Sequence, residues 1–233
     1  MKVLYEDNHL IIVSKSAGEI VQGDKTGDTP LSETVKLYIK EKYAKPGAVF
    51  LGVVHRLDRP VSGVVVFART SKALTRLNEL FRSGEVKKTY WALTQHLPKN
   101  PEGVLTHYLI RNEQKNKSFA YDHERPGAKK AVLDYSVLGH SDYYHLLEVH
   151  LHTGRHHQIR CQLAAMGCPI RGDLKYGAPR SNPDGSISLH ARSIRFVHPV
   201  SHEEIFVEAP LPTEGPWQAF TQLTSSTSEP AWD

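Results

Sequence analysis

Three residues with ionisable side chains interrupt an otherwise apolar stretch in the segment VVHRLDRPVSGVVVF. His55, Arg56 and Asp58 stand between two runs that are typical of buried strands. Pro60 and Gly63 favour a turn, which would hold Asp58 at the rim of a sheet. A carboxylate held there can act as a nucleophile or a base. It can equally accept backbone hydrogen bonds and pair with Arg56, which would give it a structural role.

A second polar segment, TGRHHQIR, joins a predicted strand to a predicted helix. Thr153 and Gly154 end the strand, and Arg155 and Arg160 lie near the start of the helix. A cation in that position opposes the helix dipole, so helix stability does not explain the two arginines. A carboxylate or a phosphate close to them would explain both.

Histidines supply an alternative interpretation. His150 and His152 share one face of a strand, and His156 and His157 follow closely. Such a cluster can bind a metal ion, which makes a metal-dependent hydrolase or glycosidase an alternative hypothesis. Glu148 is the only acidic residue that joins the cluster, and closely packed histidines in a sheet are more often core or surface residues. We therefore expect no metal.

The elements around these segments indicate an α+β fold with a mixed or antiparallel sheet, because strands outnumber helices and do not alternate with them. One helix follows Thr29 and Pro30 and ends before Pro46, and two others are predicted at 71–82 and 157–166. Residues 98–127 are rich in polar residues and are predicted to form an irregular excursion around one strand-like patch. Strands are predicted at 3–5, 10–13, 49–54, 63–68, 86–94, 131–138, 144–152, 187–197 and 205–207.

The bulk properties are typical of a packed soluble protein. The chain has 233 residues, is 39% hydrophobic and carries a formal charge of +4, a mild excess that suits a polyanionic partner without requiring one. We expect one domain at 1–223 and a flexible Ser/Thr-rich tail at 224–233. The apolar runs are too short to cross a membrane and the first residues do not resemble a signal peptide, so the cytoplasm is the expected compartment. Cys161 and Cys168 suggest neither a disulfide framework nor a zinc site.

Four linked motifs resemble those of the RluA-type RNA pseudouridine synthases in order and approximate spacing. They are HRLDRPVSGVVVFART, KKTYWAL, TGRHHQIR with GCPIRGDLKYG behind it, and SLHARSIRFVHP. The resemblance runs from the opening hairpin to Pro210. It implies a long mixed, mainly antiparallel sheet in two halves with an RNA cleft between them, and isomerisation of uridine to pseudouridine without a cofactor.

The resemblance also implies roles for three residues. Asp58 would be the catalytic aspartate, Tyr90 would stack against the target base, and Arg160 would pair with Asp58 and keep it ionised. These residue types suit the chemistry, since uracil must leave N1 of its glycosidic link, rotate and rejoin the sugar through C5 without water intervening. The carboxylate can attack C1′ or assist loss of a proton from C2′, and the sequence does not choose between the two routes. The Tyr90 phenol can hold the base and transfer a proton.

A larger set of residues would contact the RNA. By the same resemblance, Arg56 would enter the stack where the uridine has swung out, which offsets part of the cost of flipping the base. Leu189 or Ile194 would lie close to the base. The remaining candidates for RNA contact are His55, Arg155, His157, Gln158 and Lys175.

The sequence departs from the family pattern at three places. Val61 replaces the usual threonine, Ser16 follows Lys15 where a proline is usual, and Gln162 stands where a histidine often follows the HQIR segment. These departures concern loop shape and target choice rather than Asp58, Tyr90 or Arg160. They also motivate a second hypothesis, a non-catalytic RNA-binding protein with the same fold.

The expected partner is a structured RNA, a tRNA or rRNA stem-loop, bound by a monomer with no membrane contact. Many relatives carry a small accessory RNA-binding domain at the N-terminus, and we expect none here. The catalytic domain would then find its RNA alone, reading shape and flipped bases.

Overall fold

The strands and helices alternate irregularly along the chain. The computed structural model describes residues 1–225, so the predicted tail at 224–233 lies outside the described residues except for its first two positions. Two short 3-10 helices occur at Leu174–Tyr176 and Gly215–Ser225. The other elements are β1 (Lys2–Glu6), β2 (Leu10–Lys15), α1 (Leu31–Lys42), β3 (Gly52–Val53), β4 (Ser62–Ala68), α2 (Ser71–Ser83), β5 (Lys87–Thr94), β6 (Glu102–Asn112), β7 (Lys117–Tyr121), β8 (Lys129–His140), β9 (His145–Leu151), α3 (Gln158–Ala165), β10 (Leu189–Val197) and β11 (Glu204–Glu208).

All eleven strands belong to one sheet. Its main path runs β1-β2-β4-β10-β5-β9-β8-β6-β7, with β3 paired to β4 and β11 paired to β10. Among the described strands every pairing is antiparallel except that of β4 with β10. The predicted α+β class with a mixed, mainly antiparallel sheet is therefore confirmed.

The pairing of β4 with β10 joins a first half-sheet (β1 to β4) to a second half-sheet (β5 to β11). It is short, with only Ser62 opposite His190 and Gly63 opposite Ala191. The Ser62 hydroxyl lies 2.8 Å from His190 Nδ1 and reinforces the joint. Gly63 has φ +121°, and a Cβ there would lie 2.2 Å from the Ala191 carbonyl oxygen. Only glycine combines this backbone angle with so close an approach of two strands.

Four hydrophobic clusters are buried in the described part of the chain, and the two largest form the main cores of the sheet. Alternate residues of β2 and β4 enter different cores, as the two-residue period of a strand requires. One core packs under α1 and α3 and includes Tyr90 and Leu189. The other packs under α2, through Ala73 and Leu77. The first core therefore lies beneath the residues predicted to do chemistry.

The helices begin and end near the predicted boundaries. Thr70 accepts a hydrogen bond from the backbone N–H of Ala73 and caps α2, and Gly84 ends the helix in the left-handed conformation. The segment before α3 has a less usual geometry, since His157 adopts φ 52° at the helix start. This conformation is uncommon for a residue with a side chain, and it turns the TGRHHQIR segment sharply into the helix.

One sequence prediction was wrong, and two strand boundaries need correction. Residues 98–127 are not an irregular excursion, because they contain the hairpin of β6 and β7. Burial alternates at the start of β6, where Val104 and Thr106 are exposed and Leu105 is partly buried, although the residue types do not alternate. The strand predicted at 49–54 is reduced to β3, which pairs only with the end of β4. The strand predicted from 187 begins at Leu189.

Within residues 1–225, no helix is both long enough and apolar enough to cross a membrane. Cys161 and Cys168 are buried free thiols.

Candidate active site

Asp58 lies in the loop before β4, and a buried lysine organises that loop. The Lys15 ammonium is 1% exposed. It donates to the backbone carbonyls of Asp58 (3.3 Å), Arg59 (3.1 Å) and Val61 (2.5 Å). Burial lowers the pKa of Lys15 to about 8. The loop that carries Asp58 is thus anchored from below through its backbone, which leaves the Asp58 side chain free to face the pocket.

Arg160, on the first turn of α3, reaches Asp58 across the joint between the half-sheets. Its NH1 donates to Asp58 Oδ2 at 3.1 Å. Its Nε and NH2 donate to Oδ2 and Oδ1 of Asp173 at 2.7 and 2.8 Å. The guanidinium therefore lies between two carboxylates, and hydrogen bonds and charge from both raise its pKa despite burial. The unexplained cation at the start of α3 has the carboxylate partner that its position required.

His157 completes the polar group around Arg160. Its Nε2 lies 3.1 Å from Arg160 NH1 and 3.4 Å from Asp58 Oδ2, and its Nδ1 lies 2.9 Å from the Tyr176 hydroxyl. Burial, together with the charge of Arg160, lowers the pKa of His157 to about 2. The neutral ring accepts a hydrogen bond from Arg160 NH1 at Nε2. Its single proton is therefore on Nδ1, which donates to the Tyr176 hydroxyl.

Tyr90 lies on β5, directly opposite Ala191 of β10. Its ring is 8% exposed, at the edge of the first core. Burial, and then the charge of Asp58, raise the pKa of the Tyr90 phenol. The phenol therefore stays protonated at neutral pH and presents a flat apolar ring beside the Asp58 carboxylate.

These side chains surround a small, open pocket of about 100 Å³. Leu57, Val61, Leu151 and Ile159 add apolar walls that the sequence reasoning did not assign to the site. The pocket combines a carboxylate, a guanidinium and an aromatic ring with apolar sides. Eight of the predicted site residues line it, and they are Arg56, Asp58, Tyr90, Arg155, His157, Gln158, Arg160 and Leu189.

Three predicted RNA-contact residues do not line the pocket. His55 accepts a hydrogen bond from the Val66 N–H at 2.9 Å and stacks on Phe81, so its ring supports the loop from behind. Ile194 is 2% exposed in the core under α2. Lys175 is exposed nearby, and its ammonium donates to the Asn116 carbonyl at 3.0 Å.

The lining residues that were predicted to touch RNA differ in how they are held. Arg56 is exposed at the mouth of the pocket, and within residues 1–225 its side chain makes no hydrogen bond or ion pair. Arg155 is also exposed, but its Nε donates to the Lys130 carbonyl at 3.0 Å. Gln158 is buried, and its side-chain amide oxygen accepts hydrogen bonds from the Thr153 hydroxyl and the Arg155 backbone N–H. Gln158 therefore fixes the turn that presents Arg155.

Sequence reasoning missed Lys15 and Asp173 as parts of the site. Asp173 lies in the segment GCPIRGDLKYG, where Gly172 and Gly177 both have positive φ, and a carboxylate between two glycines was the available signal. The departure at Val61 fits the pocket, whereas Gln162 is held through its amide nitrogen and leaves its buried Oε1 without a hydrogen-bond partner among the described residues. Val61 lines the pocket, and Gln162 is buried and donates to the carbonyls of Leu105 and Ala131.

Of the histidines in the metal hypothesis, His157 lines this pocket, whereas His150 faces away from it. Val149 pairs with Tyr90, so the neighbouring His150 lies on the other face of β9. Asp134 bridges His150 (2.7 Å) and His152 (2.6 Å), a carboxylate that the sequence reasoning did not include in the cluster. In the described part of the chain, no group of three or more histidine, cysteine or acidic residues is arranged to hold a metal ion.

Comparison with known proteins identifies the family to which the chain belongs. Residues 9–165 match the family model described as RNA pseudouridylate synthase. A protein of Zymomonas mobilis named as an uncharacterised RNA pseudouridine synthase is 32% identical, over 95% of this chain and 96% of that one. Ribosomal large subunit pseudouridine synthase D of Xanthomonas campestris is 33% identical, over 92% of this chain and 67% of that one.

A solved structure agrees. The structure of human RNA pseudouridylate synthase domain containing 4 superposes with a TM-score of 0.76 at 27% identity, covering 91% of this chain and 89% of that chain. The sequence motifs, the mixed sheet and the matches to these relatives converge on one assignment. The chain belongs to the RNA pseudouridylate synthase family.

Proposed function

We propose that this RNA pseudouridine synthase isomerises a specific uridine of a structured RNA in the pocket around Asp58, without a cofactor. The observation that carries the proposal is the contact between Asp58 and Arg160, 102 residues apart in sequence, beside the ring of Tyr90. A chain that needed only a turn at Asp58 would have no reason to bring a buried guanidinium and an aromatic ring to it.

The reaction breaks the bond from C1′ to N1 of uracil and forms one from C1′ to C5. C5 loses a proton and N1 gains one, so the atoms balance without a co-reactant. The Asp58 carboxylate either attacks C1′ or takes the proton from C2′. In both routes it must be ionised and correctly aimed, and Arg160 favours both by charge and by hydrogen bonding.

Tyr90 supplies the surface on which the freed uracil turns. Its ring lies at the edge of the first core, and its protonated phenol is available as a proton donor or relay near C2′ or C5. Leu189 lines the pocket on β10, the strand next to that of Tyr90, and its apolar side chain limits the entry of water. The base is held by stacking and shape while the bond to the sugar is exchanged.

The target uridine must leave its stack to reach this pocket. We assign to Arg56, exposed at the mouth, the role of filling the vacated space, which offsets part of a cost of a few kcal/mol. Arg155 is held by the Lys130 carbonyl and suits a phosphate next to the target. Relatives named for the ribosomal large subunit make rRNA the first substrate class to test, with tRNA second.

We further propose that residues 1–223 act as one catalytic domain and as a monomer in the cytoplasm, since one chain supplies Asp58, Tyr90 and Arg160. The metal-dependent hydrolase hypothesis has no support in the pocket. A retaining glycosidase would need a second free carboxylate, and Asp173 is 1% exposed with both oxygens bound to Arg160.

The test is Asp58→Asn. Pseudouridine formation in total rRNA and tRNA, mapped after incubation with the purified protein, should disappear while RNA affinity is retained, because the amide keeps the shape and loses the nucleophilic charge. Asp142→Asn, in the exposed turn between β8 and β9, is the matched control and should be fully active. Undiminished turnover by folded Asp58→Asn would refute the proposed role of this carboxylate.

A further inference from the structure

Asp173 is a buried carboxylate whose two oxygens serve a single partner. It is 1% exposed, and Oδ1 and Oδ2 accept hydrogen bonds from NH2 and Nε of Arg160. A bidentate carboxylate–guanidinium pair fixes the plane of the guanidinium as well as its position. Burying such a pair is costly and does not by itself favour folding over an apolar pair of the same size. Its presence under the pocket needs another explanation.

The backbone around Asp173 is held as firmly as its side chain. The Asp173 carbonyl accepts hydrogen bonds from the N–H groups of Tyr176 and Ala178, and its own N–H donates to the Ile170 carbonyl. Gly172 has φ +87°, and a Cβ there would lie 2.7 Å from the Asn182 side chain. The carboxylate is therefore presented from a rigid turn.

This pairing decides which hydrogens of Arg160 reach Asp58. Asp173 holds Nε and one hydrogen of NH2, and with the guanidinium plane fixed in this way NH1 is the group that faces Asp58 Oδ2 and His157 Nε2, both at 3.1 Å. Within residues 1–225, Asp58 Oδ1 accepts no hydrogen bond from the protein. A guanidinium without Asp173 would be free to present two parallel N–H groups to Asp58 and bind both of its oxygens.

We propose that Asp173 is a positioning residue that holds Arg160 in a one-point contact with Asp58, so that one Asp58 oxygen stays free to react with the sugar. It acts only through Arg160 and does not touch the substrate. The inference rests on the proposed catalytic role of Asp58.

Asp173→Asn tests the inference, since an amide oxygen and an NH2 group cannot accept from both Nε and NH2 of Arg160. Under single-turnover conditions with rRNA fragments, the rate constant should fall by about 100-fold, the scale of losses from misplaced reacting groups, while RNA affinity is unchanged. The rate constant is expressed per folded molecule, so a loss of stability alone would not lower it.

Glu208→Gln is the matched control, because it removes the carboxylate partner of another buried arginine, Arg192, away from the pocket. It should leave the rate constant unchanged. A purely structural role for Asp173 predicts a smaller folded fraction with the wild-type rate per folded molecule, and that result would overturn the proposal. So would a folded Asp173→Asn with the wild-type rate.

Two further variants keep the inference testable. If Asp173→Asn does not fold, Asp173→Glu keeps the charge but displaces the guanidinium, and it should fold and turn over slowly; a wild-type rate would overturn the proposal. The second variant is Asp173→Asn in an Arg160→Lys background, where the ammonium cannot form the bidentate pair. There Asp173→Asn should lower the rate constant only slightly further, and fully additive losses in rate would contradict the proposal. A fully active Asp58→Asn would instead refute the proposed role of Asp58. That outcome is distinct from a failure of the Asp173 proposal, which is judged on the Asp173 variants.

Discussion

The substitution Gly63→Ala is expected to force apart β4 and β10, the only strand pairing that joins the two half-sheets in the described chain. The added Cβ would lie 2.2 Å from the Ala191 carbonyl oxygen and 2.5 Å from its nitrogen, and both are backbone atoms that cannot rotate away. The φ of +121° adds a cost of about 1–2 kcal/mol for any residue with a Cβ. Losing the ladder hydrogen bonds of this short pairing adds about 1 kcal/mol for each.

The expected loss is therefore about 3–4 kcal/mol in the free energy of unfolding, measured as a shift of the urea midpoint. Activity should fall by more than the folded fraction does, because the 3.1 Å contact between Asp58 and Arg160 spans this joint. Displacements near 1 Å cost about 100-fold in rate. Pseudouridine formation at a protein concentration corrected for folded fraction measures this excess.

Gly127→Ala separates the two causes. Gly127 has φ +79°, and a Cβ there would meet no atom within 4 Å, so only the backbone cost should appear. That variant should lose about 1–2 kcal/mol and keep its specific activity. If Gly63→Ala were as stable as Gly127→Ala and equally active, the close approach of β4 and β10 would not be what holds the site together.

Two further predictions concern single side chains. Tyr90→Phe keeps the ring and removes the phenol, so RNA binding should persist while the single-turnover rate falls by about 10²- to 10⁴-fold; an unchanged rate would exclude proton transfer by this group. His55→Gln should make the protein less sensitive to acid. Burial lowers the pKa of His55 to about 3. As pH falls below about 6.5, His55 therefore binds a proton in the unfolded chain but not in the folded one. The free energy of unfolding then decreases by up to about 1.4 kcal/mol per pH unit. Glutamine can still accept from the Val66 N–H without titrating, and urea midpoints at pH 7 and pH 4.5 compare the two proteins. An equal acid loss in both would contradict a neutral His55.

The fold class and the centre of the site followed from local patterns. Asp58 was anomalous because it stands between two apolar runs. Arg160 was anomalous because it lies at a helix start, where a cation is unfavourable. The motif resemblance linked the two residues. The hairpin at 98–127 was missed because β6 and β7 cover little of the core, so their apolar alternation is weak against many polar residues.

Of the two supporting residues, Asp173 had a sequence signal in its flanking glycines, whereas Lys15 had none because it acts through long-range contacts to the backbone. Lys15 bonds to carbonyl oxygens more than 40 residues away, and carbonyl direction leaves no trace in residue type. Ile194 was placed near the base from its motif, and a β-bulge between Ala191 and Ser193 changes the register of β10 before it is reached.

The position of β10 in the sheet also affects how the molecule is made. This strand lies in the interior of the sheet, yet it is the tenth of the eleven described strands to leave the ribosome. Until Leu189 and the residues after it have been synthesised, β4 and β5 each lack a neighbour, and the nascent protein presents two open strand edges prone to wrong pairing. Asp58, Tyr90 and Arg160 have all been translated by then, but the strand that unites them has not. A transcript truncated before β10 would encode every proposed catalytic residue and no enzyme.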